Sequence, residues 1–147
     1  AKSSDGRGTP TKLSDYAVDY FRAGRLEDLS VAIYAPQVDN ARIAGFAQFV
    51  SQAAAEGDKV AVEVLSEAGC ELGLAASAVI RKLKMQRRKF PIGKVGSVFK
   101  SGELVTKPLL EKVREIAPKA FISETNKTPA YAAALMAWQN YGKNGSK

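Results

Sequence analysis

Apolar residues recur at helical spacing along most of this chain, and two short apolar runs near its C-terminal third break the rhythm. A polar opening, "SSDGRGTP", predicts loop, and Leu13, Ala17, Val18, Tyr20 and Phe21 then give the first helical series. "GRLEDLSVAIY" predicts a short second helix with Leu26, Leu29, Ile33 and Tyr34 on one side, ended by Pro36. Asp39 is placed to cap a third, whose apolar face is Ile43, Phe46, Phe49, Val50 and Ala53. Gly45 falls inside that series. A mid-helix glycine costs roughly 1 kcal/mol against alanine, so it calls for a close neighbour, either another backbone or a ligand.

The longest helical signal runs from Asp58 to about Arg88, with Val60, Val64, Ala68, Leu72, Ala75, Val79 and Leu83 as the expected inner stripe. "FPIGKVG" then predicts a short strand, "ELVTKPLLEKVREI" a helix with Leu104, Leu109, Leu110, Val113 and Ile116 inward, and "KAFISE" a second strand. Pro108 is tolerable only near a first turn, which leaves that helix's start open between Ser101 and Pro108. "TPAYAAALMAW" closes the chain as an alanine-rich helix, with Thr128 as cap and Pro129 at its first position. Helices followed by strand, helix, strand, helix predict an α/β class with a small parallel sheet portion. Two short strands are few for a self-sufficient sheet, so the chain reads as a piece of a larger protein. The expected organisation is loop or linker over 1–12, one lobe over 13–140 and a disordered tail over 141–147.

Composition narrows the chemistry. At 147 residues, with 46% hydrophobic and 25% charged side chains, the chain can bury one core. It has no histidine, which removes Ser-His-Asp and Cys-His nucleophile systems and the usual zinc sites. No run approaches the roughly 20 apolar residues that span a bilayer, and the N-terminal stretch lacks the apolar middle of a secretory signal, so a cytoplasmic location is expected. Cys70, alone and within an apolar helical series, reads as a buried structural thiol. The net charge of +7 is concentrated at Arg81, Lys82, Lys84, Arg87, Arg88, Lys89 and Lys94. Glu56, Asp58, Glu63, Glu67 and Glu71 precede it, so the cluster fits a solvated, dipole-matched helix end. With only Phe90 near for stacking, nucleic acid is disfavoured as a partner.

"GSVFKSGELV", at 96–105, carries the candidate chemistry: a small-residue turn between a strand and a helix start. Backbone N–H groups and the helix dipole favour anions at such a place, where any Cβ would obstruct approach. It is neither a P-loop nor a G-x-G-x-x-G fingerprint, so on spacing alone a nucleotide site and a plain turn both stand.

Taken together, "RIAGFAQFVSQAAAEGDKVAVEVLSEAGCELG", "VGSVFKSGELV" and "PAYAAALMAW" resemble the C-terminal half of N-acetylglucosamine kinases. Those enzymes sit in the wider family of BadF and BcrA type ATPases, within the actin, sugar-kinase and heat-shock chaperone superfamily. The resemblance runs from about Asp5 to Trp138, and its most specific parts are "AGF", "EGD", "AG" with "LG", and "GSVFKS". It implies the C-terminal lobe of a ribonuclease-H-like ATPase fold, with Gly96 and Ser97 against the nucleotide, Ser101 at the following helix start, and Gly45 letting the third helix approach the adenine. It further implies ATP and Mg2+ as cofactors, held mainly by a missing N-terminal half, and an amino sugar as substrate; an isolated lobe would expose the apolar surface its missing half covers, so a homodimer or other self-association is expected.

The chain departs from the family in two ways. Where the wider family has two glycines it has Gly96 and Ser97, closer to the kinase branch, and Gly93 and Lys94 interrupt an otherwise apolar strand. The family's catalytic base maps to no residue here, so no catalytic or metal-ligating residue is assigned. Asp5, Gly6 and Arg7 either fold back near the cleft or form a solvent loop. Two alternatives remain: an ATPase activator of an acyl-CoA dehydratase, for which one cysteine is few, and a basic binding module at Arg81 to Lys94.

Overall fold

The computed structural model of the chain describes residues 9–123 and 129–144. Helix α1, Leu13–Phe21, ends where Arg22 turns left-handed. A 3₁₀ turn at Leu26–Asp28 runs into α2, Leu29–Ile33. Tyr34, expected inside with that helix, is 89% exposed, because five residues of α-helix end before Tyr34 can be carried round to the core side. Asp39 caps α3, Asn40–Gly45, accepting the Arg42 N–H at 2.7 Å, as the sequence predicts. The expected single third helix is divided at Phe46, where the Phe46 N–H bonds the Ile43 carbonyl and the turn tightens, before α4, Ala47–Ala55. Ile43, expected on the inner face, is exposed at that division.

Asp58 caps α5, Lys59–Lys82, and does more than cap. Its carboxylate accepts the Ala61 N–H at 3.0 Å, the Lys12 N–H at 2.7 Å and the Thr11 hydroxyl at 2.9 Å, tying the start of α1 to the start of α5. Desolvation pushes the Asp58 carboxyl up, but the donors from Ala61, Lys12 and Thr11 outweigh it and hold the group below the usual carboxylate range. Beside it, the Lys12 ammonium lies 2.6 Å from Glu56; their hydrogen bond lowers the carboxyl and raises the amine, in an exposed pair of small energetic weight.

The inner face of α5 differs from the expected one. Ala61, Leu65, Gly69, Gly73, Ser77 and Ile80 are buried, whereas Val64, Leu72, Val79 and Leu83 of the expected stripe are between 37% and 60% exposed. The cause is α6, Glu103–Arg114, which lies so close that a Cβ on Gly69 would run into the Val105 carbonyl oxygen. A Cβ on Gly73 would fall 2.6 Å from Lys112 Cβ and 2.8 Å from the Leu109 carbonyl oxygen. Small side chains permit this approach, and the bulkier valines and leucines cannot take their place. Cys70, expected to be buried, is half-buried beside the seam. Pro108 sits inside α6 past the first turn, its Cβ within 3.2 Å of where a Gly69 Cβ would be.

Strands β1, Phe90–Gly93, and β2, Ala120–Ser123, pair in parallel with Phe90 opposite Ala120 and Gly93 opposite Ser123, joined through α6. Two buried clusters result. Val50, Ala53, Ala54, Ala61, Leu65 and Val105 form one, and Ile80, Leu109, Val113, Ala117 and Ala120 the other, with Phe99 packing against both. Val105, fully buried, was not among the residues expected inside, while Leu104, Leu110 and Ile116 are half-buried. The basic run matches its dipole reading in part: Arg81 and Lys82 occupy the last turn of α5, and Lys84 turns left-handed beyond it.

Helix α7, Pro129–Asn144, begins at the predicted proline, continues past 140, and exposes Tyr131, Met136, Trp138 and Tyr141. The Thr128 cap and the Asp5–Gly6–Arg7 reading lie outside the described residues. Among the described residues no helix is long and apolar enough to cross a membrane.

Candidate functional site

Between the α3–α4 junction and the segment after β1 lies a cavity of about 400 Å³. Ala44, Gly45, Ala47, Gln48 and Ser51 form one wall; Ser97, Val98, Lys100 and Ser101 form the other, with Leu65 of α5 between them. Ala44, Ala47, Gln48 and Ser51 recur at i, i+3, i+4 and i+7, so one helical face supplies the first wall while Val50, Ala53 and Ala54 on the opposite side enter the core. The opposing wall is a 3₁₀ turn, Ser97–Ser101, in place of the plain turn or direct helix start expected from the sequence.

Both glycines flanking that turn have a backbone reason. Gly96 has φ 117° and ψ 161°, and Gly102 has φ 64° and ψ −132°, regions that L side chains rarely adopt. A Cβ on either would meet nothing within 4 Å. At 96 the torsion by itself therefore demands a glycine. Gly102 then starts α6, its carbonyl accepting the N–H groups of Val105 at 3.3 Å and Thr106 at 3.1 Å. Ser101 closes the 3₁₀ turn one residue before this, so it is not itself the helix start.

The two walls are joined by a hydroxyl pair. Ser51 Oγ and Ser101 Oγ lie 2.7 Å apart, and Ser51 Oγ also lies 3.0 Å from the Ala47 carbonyl, to which it can donate. Of the four residues singled out from the sequence, Gly45, Ser97 and Ser101 line this one cavity, and Gly96 stands at its edge as the hinge of the turn. Ser51, Gln48 and Lys100 were missed; the i, i+3, i+4, i+7 series from Ala44 is the signal that would have found the first two. A second hollow of about 580 Å³, bordered by Arg22, Asp28, Val31 and Arg42, contains none of the expected residues.

Chemically the cavity is suited to holding a ligand. Its walls are mostly apolar, its polar groups are three hydroxyls, an amide and one ammonium, and among the described residues lining it none is a carboxylate. Among the described residues no group of three or more acidic or cysteine side chains is gathered to hold a metal ion.

No protein-family profile matches the chain. Over 136 residues, 92% of its length, the chain is 30% identical to the N-acetylmuramic acid/N-acetylglucosamine kinase of Clostridium acetobutylicum. Over 138 residues it is 27% identical to the N-acetyl-D-glucosamine kinase of Dictyostelium discoideum. The chain spans 44% and 43% of these two proteins, less than half of each. Both likenesses support a kinship with sugar kinases.

Proposed function

We propose that this chain is the ATP-binding lobe of a kinase that phosphorylates N-acetylglucosamine or a related amino sugar. The observation that carries the reading is the single cavity joining Gly45, Ser97 and Ser101, in a chain similar over 92% of its length to a kinase named for N-acetylmuramic acid and N-acetylglucosamine. At about 400 Å³, its apolar walls suit the flat face of a nucleobase, and the Ser51–Ser101 pair supplies polar contacts within it. Lys100 adds positive charge on the same wall, where it attracts a polyphosphate.

In this reading the substrate is Mg-ATP, and the reaction is in-line transfer of the γ-phosphoryl group to a sugar hydroxyl. The transfer depends mainly on positioning and charge stabilisation. The lobe binds and orients the nucleotide. The group that activates the sugar hydroxyl comes from the remainder of the protein, and no residue of this chain is assigned that role. Self-association belongs to the same reading: Val64, Leu72, Val79 and Leu83 leave an apolar stripe along α5 that favours burial against further protein.

The test is ADP release by the protein that carries this chain, with Mg-ATP, in the presence and absence of N-acetylglucosamine or N-acetylmuramic acid. Sugar-dependent release is expected. Release that ignores both sugars, or none at all, overturns the amino-sugar kinase reading.

A further inference from the structure

Gly45 raises a question that the cavity does not answer. Its φ is not in the left-handed region, so torsion does not demand a glycine there, as it does at Gly96. The nearest obstacle is a side chain from another helix: a Cβ on Gly45 would sit 2.5 Å from the Tyr20 hydroxyl oxygen and 3.6 Å from Tyr20 Cζ, with nothing else among the described residues beyond its own helix and chain neighbours within 4 Å. The Tyr20 hydroxyl occupies the space that alanine would need.

Tyr20 is held there from both ends. Its hydroxyl donates to the Arg42 carbonyl at 2.9 Å, and the Arg42 guanidinium donates back to the Tyr20 carbonyl at 2.8 Å. The guanidinium carbon also stands 5.3 Å from the centre of the Tyr20 ring. The Arg42 carbonyl is available because the Phe46 N–H, which a regular helix would send to it, turns to Ile43. On its other side the Tyr20 ring packs against Phe21, Phe46 and Phe49, with centroids 4.9, 5.7 and 5.1 Å away. One hydroxyl thus fills the carbonyl left open at the α3–α4 junction, two residues before Ala44 on the cavity wall.

We infer that Tyr20 is a positioning residue for the cavity: its hydroxyl sets the Ala44–Gly45 wall, and the glycine at 45 exists to admit that hydroxyl. The inference deepens the nucleotide reading above and rests on it for the identity of the ligand. Tyr20 touches no ligand in this account and acts only through the wall. It follows that Tyr20 and Gly45 are coupled: removing the hydroxyl leaves Cζ at 3.6 Å, an ordinary contact, and makes room for alanine.

The experiment is a cycle of Tyr20→Phe, Gly45→Ala and the double variant in the full protein, measuring the KM for Mg-ATP, the KM for N-acetylglucosamine and the melting temperature. Tyr20→Phe is expected to raise the KM for Mg-ATP about fivefold, the loss of one hydrogen bond. Gly45→Ala is expected to raise it more, and both variants should leave the sugar's KM within about twofold, on the reading that the sugar binds elsewhere. The double variant should return to the Tyr20→Phe value in both KM and melting temperature. Additive losses, or an unaffected Gly45→Ala, overturn the inference. A wild-type protein with no affinity for Mg-ATP overturns the nucleotide reading instead, and the melting cycle then decides the Tyr20–Gly45 coupling alone: rescue supports it and additivity refutes it.

Discussion

Gly69 and Gly73 on the α5–α6 seam and Gly96 and Gly102 around the 3₁₀ turn are the same residue used for opposite reasons. On the seam the backbone is ordinary helix and the space is taken: Val105, Leu109 and Lys112 stand where a Cβ would go. Around the turn the space is empty and the backbone is the constraint, with φ of 117° and 64°. The first pair is glycine because of what lies outside it, and the second because of its own torsions. Substitution should therefore fail differently at the two places.

The largest effect is expected on the seam. Gly69→Ala and Gly73→Ala should each lower stability by about 3 kcal/mol, since the obstacles include backbone of a packed helix that cannot rotate away. Chemical denaturation measures this, and a loss under about 1 kcal/mol would mean that α6 can retreat. Gly96→Ala comes next, at about 2 kcal/mol, a torsional cost only. A D-alanine at 96, introduced by chemical ligation, should restore most of it because its backbone preference is for positive φ; failure to restore would mean that torsion is not the constraint there.

Asp58 sharpens the comparison by testing what holds the seam helix at its start. Asp58→Ala should cost about 1 kcal/mol, with Asp58→Asn recovering most of it. Because the folded carboxyl titrates below its unfolded value, its contribution is full above the unfolded pKa and is lost as pH falls through the folded one. The gap between wild type and Asp58→Ala should thus persist at neutral pH and close in acid; a gap independent of pH would assign the effect to packing. The smallest change is expected at Ser77, the third small residue of the seam, whose buried hydroxyl has no hydrogen-bond partner among the described residues. Ser77→Ala should raise stability, by up to about 1 kcal/mol, since the seam needs smallness and not polarity. A measured loss would reveal a partner for that hydroxyl.

The order of helices and strands was legible from the sequence because caps and punctuating residues declare themselves: Asp39, Asp58 and Pro129 each begin the helix predicted for them. The face of α5 was not. Val64, Leu72 and Val79 outshine Gly69, Gly73 and Ser77 on any hydrophobic reading, yet the seam is set by the space between two backbones, to which apolar periodicity is blind. The cavity was half legible. Gly45, Ser97 and Ser101 were found through a likeness in the chain, but the Ser51 partner of Ser101 lies fifty residues away in sequence and is joined to it only by folding. Gly45 announces a close neighbour, but nothing in the sequence says that the neighbour is the Tyr20 hydroxyl, twenty-five residues earlier.

Helix α5 has a mechanical consequence. Its 24 residues make a rod of about 36 Å, with Leu65 beside the cavity toward one end and Ile80 under the sheet toward the other. Gly73 lies near its midpoint, pressed against α6. A tilt of about 5° there would swing each end by roughly 1.5 Å on the helix's own dimensions. One helix thus borders both the cavity and the sheet-side cluster, so the two share a single rigid element.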